Sequence, residues 1–237
     1  MAGFWWVSSR APMFDIEILY RDADLVAVNK PSGLAVHRGW ADDDAFAMTL
    51  LRDALGQWVY PVHRLDRSAS GVLLFALSSA AARVICGRFE QHEVEKDYVA
   101  LVRGAPPERA VVDHALRPDN SDVAQPAVTE VQRLEQLGRY AWVEARPRTG
   151  RLHQIRRHLK HLSCPIIGDV KYGKGEHNRL FREHYGLSRL ALHAARLKLR
   201  GLNDEPIQID ASLPPDLAQA VEMLRAQQRS GSPSASQ

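Results

Sequence analysis

The densest run of chemistry-capable side chains is His63-Arg64-Leu65-Asp66-Arg67-Ser68-Ala69-Ser70-Gly71, which stands directly before a continuous apolar stretch at 71–77. A polar loop entering a buried strand presents its side chains where sites are commonly built. Asp66 has a cation on either side in sequence, Arg64 and Arg67. Such neighbours favour a charged carboxylate, available as a nucleophile or a base. An Asp that merely closes a turn and pairs with its neighbours fits the same residues.

The second concentration lies at 146–161, RPRTGRLHQIRRHLKH. It carries Arg146, Arg148, Arg151, Arg156, Arg157 and Lys160 and no acidic residue. The whole chain has 31 Lys and Arg against 28 Asp and Glu, a net charge of +3 that names no partner by itself. The clustering says more than the sum. A helix over 151–162 places Leu152, Ile155, Leu159 and Leu162 on one face and points Arg157, Lys160 and His161 elsewhere. Arg156 falls at the edge of the apolar face, where a half-buried guanidinium needs a carboxylate. A basic face is often only solvated, but one this one-sided favours phosphate contact.

Other chemistries find less support. His153 and His158 are five apart and point away from each other on a helix, which argues against a metal shared with His161; no metal site is expected. His63, His92 and His193 read as structural. Cys86 and Cys164 stand alone, without the spacing of a zinc site or a disulfide framework, which suits a reducing, cytoplasmic setting. Tyr172-Gly173-Lys174-Gly175 lacks the spacing of a phosphate-binding loop, and no serine-nucleophile elbow is present.

The elements that must position these residues are short. Strands are expected at 14–20, 25–29, 71–77 and 98–102, then a hairpin of 127–134 and 140–146, and further strands at 166–168, 190–199 and 206–209. Helices are expected from Ser78 or Ser79 to about residue 92, at 151–162 and at 214–228, with a loose excursion over 105–126. This mixture favours α+β over a doubly wound sheet. Residues 1–13 read as a poorly ordered leader, 14–229 as one domain and 230–237 as a disordered tail. No apolar run approaches the length of a membrane span.

Taken together, LYRDADLVAVNKPSGLAVH, HRLDRSASG, FEQHEVEKDYVALVRG, RTGRLHQIRRHL, PIIGDVKYG and RLALHA resemble the RluA-type branch of the pseudouridine synthases, over residues 14 to about 211. The resemblance implies a single catalytic domain whose mixed, mostly antiparallel sheet is flanked by helices around a central basic cleft. It implies isomerisation of uridine to pseudouridine in RNA, without a cofactor. Asp66 matches the essential aspartate, Arg64 the arginine that enters the RNA stack, and Tyr98 the aromatic that stacks on the flipped base. Arg156 matches the arginine paired with the carboxylate, and Leu192 an apolar pocket residue. Arg67, Arg151, Arg157 and Lys160 are candidate contacts to the RNA backbone. The family commonly has Thr where this chain has Ala69. Within the branch, VHRGW, the insert YGKGEHNRLFREHYGLSRLALHA and the lack of a separate N-terminal RNA-binding module favour tRNA, at uridine 65 of the T-stem, as the substrate of a cytoplasmic monomer. Ribosomal 23S RNA or another tRNA position is the alternative, and a catalytically silent RNA-binding protein is the alternative of another class.

Overall fold

The computed structural model describes residues 16–37 and 45–231. The expected leader, 1–13, lies outside the described residues, as does 232–237 of the expected tail. Ser230 and Gly231 belong to the terminal helix.

Strands β1 (Glu17–Arg21) and β2 (Leu25–Lys30) form a hairpin. Its turn is closed by Asp22, whose carboxylate accepts the N–H groups of Asp24 and Leu25 at 2.8 and 2.7 Å. Helix α1 (Ala47–Leu55) and the short β3 (Tyr60–Pro61) follow. The apolar stretch becomes β4 (Ser70–Ala76), buried at every position. Helix α2 (Ser79–Glu90) starts at Ser78, whose hydroxyl accepts the Ala81 N–H at 3.1 Å. Next come β5 (Glu95–Arg103), β6 (Arg109–Asp113), β7 (Val128–Leu137) and β8 (Tyr140–Pro147). Helices α3 (Gln154–His161) and α4 (Gly175–His184), strands β9 (Leu192–Arg200) and β10 (Pro206–Asp210), and helix α5 (Pro215–Gly231) complete the order.

The strands form one sheet in the order β1-β2-β4-β9-β5-β8-β7-β6, with β3 on β4 and β10 on β9. All pairs are antiparallel except β4 with β9, which is parallel through Ser70↔His193 and Gly71↔Ala194. The expected α+β class with a mixed, mostly antiparallel sheet is what the chain adopts. Gly71 makes the parallel junction possible: its φ is +113°, and a Cβ there would collide with the Ala194 carbonyl. Strands β2 and β4 are buried on both faces, which explains why their sequence reads as apolar runs rather than alternation. Val26, Val28, Leu73 and Phe75 pack with Ala47 and Leu51 of α1 on one face. On the other, Leu25, Ala27, Val72 and Leu74 pack with Ala81 and Ile85 of α2. Strands β5, β7 and β8 carry the largest core, covered by Ile155 and Leu159 of α3, Phe181 of α4, and Leu217 and Val221 of α5.

Three local expectations change. The helix expected over 151–162 begins at Gln154, because His153 has φ +54°, outside the right-handed helical region. Leu152 therefore leaves the apolar face and is 47% exposed. The strand expected at 166–168 reduces to a single bridge, Val102↔Ile166, hemmed in by Pro165 and by Gly168 at φ +78°. The excursion over 105–126 contains β6, an edge strand with Val111 facing solvent.

Candidate active site

The HRLD loop is fastened before it is charged. Lys30, with no solvent exposure, donates from Nζ to the carbonyls of Pro31, Leu34 and Arg67 at 2.8, 2.8 and 3.2 Å. The Gly33 N–H also reaches the Arg67 carbonyl, at 2.9 Å, and the Ser32 hydroxyl donates to the Ser68 carbonyl at 2.7 Å. The turn after β2 is thereby clamped to the loop that bears Asp66. Burial pulls the Lys30 ammonium down to about 7, with Asp66 acting in the opposite direction. His63 fastens the other end of the loop: its Nε2 accepts the Leu74 N–H at 2.9 Å and its ring stacks on Phe89. Burial, aided by Lys96, pushes this imidazole down to about 3, so it is neutral.

Asp66 is 18% exposed at its side chain and accepts a hydrogen bond at Oδ2 from Arg156 Nη1, 3.0 Å away. Of its two basic sequence neighbours, Arg67 is directed to another group. Arg67 Nε donates to the Gly33 carbonyl at 2.9 Å, and Arg64 stands exposed at the cleft rim. The other two arms of Arg156 grip Asp169, Nε to Oδ2 at 2.7 Å and Nη2 to Oδ1 at 2.9 Å. Burial opposes the Arg156 charge, but Asp169 and then Asp66 outweigh it and hold the guanidinium above the usual arginine range. Asp169 is fully buried at its side chain. Burial would raise its pKa, yet Arg156 and the N–H groups of Tyr172 and Lys171 hold it below the usual carboxylate value. Asp169 is the residue that sequence reasoning missed. The signal was present in PIIGDVKYG, a lone acid between an apolar run and a basic loop.

Asp66 and Arg156 share a cleft of about 640 Å³ with Arg64, Tyr98, Arg151 and Leu192. Sheet register explains two of these. Tyr98 lies opposite Ala194 and Ala100 opposite Leu192 in the β5·β9 pair. Directly paired residues share a face and residues two apart along a strand do as well, so Tyr98 and Leu192 are diagonal neighbours. A bulge between Asp97 and Tyr98 resets the register at that point; bulges commonly re-aim side chains beside sites. Burial and then Asp66 hold the Tyr98 hydroxyl above its ordinary range, so it is a neutral phenol. Ala69 closes the Asp66 turn with its N–H, 3.1 Å from the Asp66 carbonyl, and packs into the core. A second hollow lies among α2, β5 and β9 and contains none of these residues.

Of the basic residues, the structure brings Arg151 to the cleft lining and leaves Arg67, Arg157 and Lys160 outside it. Arg151 Nε donates to the Pro126 carbonyl and Arg157 Nη1 to the Arg117 carbonyl. Lys160 is exposed, with its ammonium 5.7 Å from the Tyr172 ring centroid. The three histidines of this region diverge. His153 faces Asp66, His158 is buried between Thr129 and the His114 carbonyl, and His161 stacks on His114.

The family model described as RNA pseudouridylate synthase matches residues 24–161. A tRNA pseudouridine synthase C of Vibrio cholerae is 45% identical, covering 84% of this chain and 91% of its own. The tRNA pseudouridine synthase C of Haemophilus ducreyi is 46% identical, covering 77% and 84%. Among solved structures, Human RNA Pseudouridylate Synthase Domain Containing 4 superposes with a TM-score of 0.74 at 30% identity, over 88% of this chain and 93% of that one. The chain belongs to the RNA pseudouridylate synthase family and is an RNA pseudouridine synthase, an isomerase.

Proposed function

We propose that this protein converts a uridine of tRNA, position 65 in the T-stem, to pseudouridine, with Asp66 as the reacting carboxylate. The observation that carries the reading is the Asp66–Arg156–Asp169 chain inside a cleft walled by Tyr98 and Leu192. The reaction breaks N1–C1′, turns the base and joins C5 to C1′; the proton leaves C5 and N1 regains one. No electrons are exchanged with a second molecule and no group is donated, so one carboxylate and a closed pocket suffice. A paired uridine must first leave the stack, at a cost of a few kcal/mol. In this reading Arg64, exposed at the rim, fills the gap in the RNA, and Tyr98 stacks on the extruded base. Arg156 fixes the carboxylate's orientation through a charge-assisted hydrogen bond. The same carboxylate serves attack at C1′, attack on the base or a glycal route. Leu192 and the Tyr98 ring hold the detached uracil and exclude the water that would turn the step into hydrolysis.

The likeness to the two tRNA pseudouridine synthases C supports tRNA as substrate. No helix among the described residues is long and apolar enough to cross a membrane, and we place the activity in the cytoplasm, with the basic residues Arg67, Arg151, Arg157 and Lys160 toward the RNA backbone. Carbodiimide adduct mapping by primer extension, across tRNA and ribosomal RNA of a deletion strain, tests the assignment. Loss of the adduct at uridine 65 alone supports it; persistence there, or loss in 23S RNA instead, overturns it.

A further inference from the structure

His153 is the last residue before α3 and its carbonyl accepts the Arg157 N–H at 3.0 Å, yet its backbone is not that of an ordinary cap. Helix-capping residues ordinarily adopt extended backbone and accept an N–H from the first turn. His153 has φ +54° and ψ +27°, and its side chain makes no capping bond. A non-glycine residue held in the left-handed region carries strain, and such strain concentrates at functional sites. The backbone is over-determined by its neighbour: Gln154 Oε1 accepts from the Arg151 N–H at 3.0 Å and the Thr149 hydroxyl at 2.7 Å, while Gln154 Nε2 donates to the Val128 carbonyl at 2.9 Å. The consequence is that the His153 ring lines the cleft.

The ring meets Asp66 on the oxygen that Arg156 does not take. Arg156 Nη1 is 3.0 Å from Oδ2, and His153 Nε2 is 3.9 Å from Oδ1. Its other nitrogen, Nδ1, lies 3.2 Å from the Tyr172 hydroxyl, and the two rings meet edge-on at 5.7 Å. Tyr172 is itself fixed, with the Arg156 guanidinium 5.2 Å from its ring centroid.

We propose that His153 is a second positioning residue for Asp66: the Tyr172 hydroxyl donates to Nδ1, which places the imidazole proton on Nε2 and aims it at Asp66 Oδ1. The two carboxylate oxygens are then addressed from separate elements, Oδ2 by Arg156 within α3 and Oδ1 by the strained residue before it. The groups facing the imidazole fit a neutral ring. Burial, with Arg156 and Lys171, pushes His153 below the ordinary histidine value against the pull of Asp66 and Asp169. The separation of 3.9 Å exceeds a hydrogen bond by about 1 Å, and catalytic hydrogen bonds commonly tighten only when substrate is bound. A bound uridine that pushes Asp66 toward the ring closes it. Tyr172 and His153 are then part of the geometry that aims the reacting oxygen.

This inference rests on Asp66 being the reacting carboxylate. The test measures single-turnover tritium release from tRNA transcript labelled at uridine C5, together with tRNA affinity and thermal midpoint, for His153→Leu, His153→Gln and Tyr172→Phe. His153→Leu is expected to slow turnover about 10- to 100-fold, the scale of a misplaced catalytic group, with affinity and midpoint unchanged. His153→Gln, which restores an N–H at similar reach, is expected to recover most of that loss. Tyr172→Phe keeps the ring against Arg156 and removes only the hydroxyl, so it carries the same test should His153→Leu fail to fold; a several-fold slower rate is expected. Wild-type turnover in His153→Leu or in Tyr172→Phe, or a Gln variant as slow as the Leu variant, overturns the proposal. Failure of the wild-type protein to release tritium would instead strike the substrate reading, which separates the two.

Discussion

Arg156 is bound to Asp169 by two hydrogen bonds, at 2.7 and 2.9 Å, and to Asp66 by one, at 3.0 Å. The carboxylate proposed to react is therefore held by an arginine that is itself held by a second, fully buried carboxylate. Asp169→Ala leaves Arg156 paired with Asp66 but strands its buried Nε and Nη2 donors, so a loss of about 1–3 kcal/mol of stability is expected. Urea unfolding followed by circular dichroism measures this; a loss below about 1 kcal/mol would show that Arg156 finds another partner.

Arg156→Leu separates positioning from phosphate binding. Turnover is expected to fall far more than tRNA affinity, because the guanidinium faces two carboxylates rather than solvent. A change confined to affinity, read by filter binding beside single-turnover rates, would make Arg156 an RNA contact.

Lys30 joins the turn after β2 to the Asp66 loop through three carbonyls. Lys30→Met keeps the stem and removes the donors. Unmet buried carbonyls cost about 1–3 kcal/mol, and the loop should loosen. Faster amide exchange at residues 66–70 with a lowered thermal midpoint is expected; exchange at the wild-type rate would contradict the clamp.

The half-buried His63 and the buried His193 contribute most visibly to the acid response. Burial pushes His63 from 6.5 to about 3 and His193 from 6.5 to about 4. Between those values and 6.5 the unfolded chain binds protons that the folded chain refuses. Stability therefore rises with pH across this window and is lost as pH falls through it. Asp169, whose folded pKa is lowered, adds a loss in the same direction at still lower pH. His63→Gln, which can still accept the Leu74 N–H, should flatten the slope by up to one proton, about 1.4 kcal/mol per pH unit. An unchanged slope in urea titrations from pH 4 to 7 would remove His63 from the account.

Sequence patterning locates the long elements because burial writes itself into apolar runs. Strand β4, helix α2 and the β7·β8 hairpin are legible this way. It fails where tertiary contacts override periodicity. The segment Arg151-Leu152-His153 has helical spacing, but Gln154 draws its backbone into a turn and His153 into the left-handed region. Strand β6 is short and half-exposed, and helices α1 and α4 have weak signals beside charged surroundings. Within the site, Arg156 reads as a buried cation in want of a carboxylate. The partner shared with Asp66, Asp169, lies thirteen residues away in a loop with no period to mark it. Adjacency misleads at Asp66: the flanking Arg67 donates to the Gly33 carbonyl, and the cation that holds the carboxylate comes from residue 156.

The most direct measurement of the central claim is tritium release from C5-labelled uridine in tRNA by the Asp66→Asn variant, with tRNA affinity determined in parallel. The account predicts release abolished and affinity nearly intact, since the amide keeps the size of the side chain and loses only its charge and nucleophilicity. Turnover retained in Asp66→Asn would contradict it.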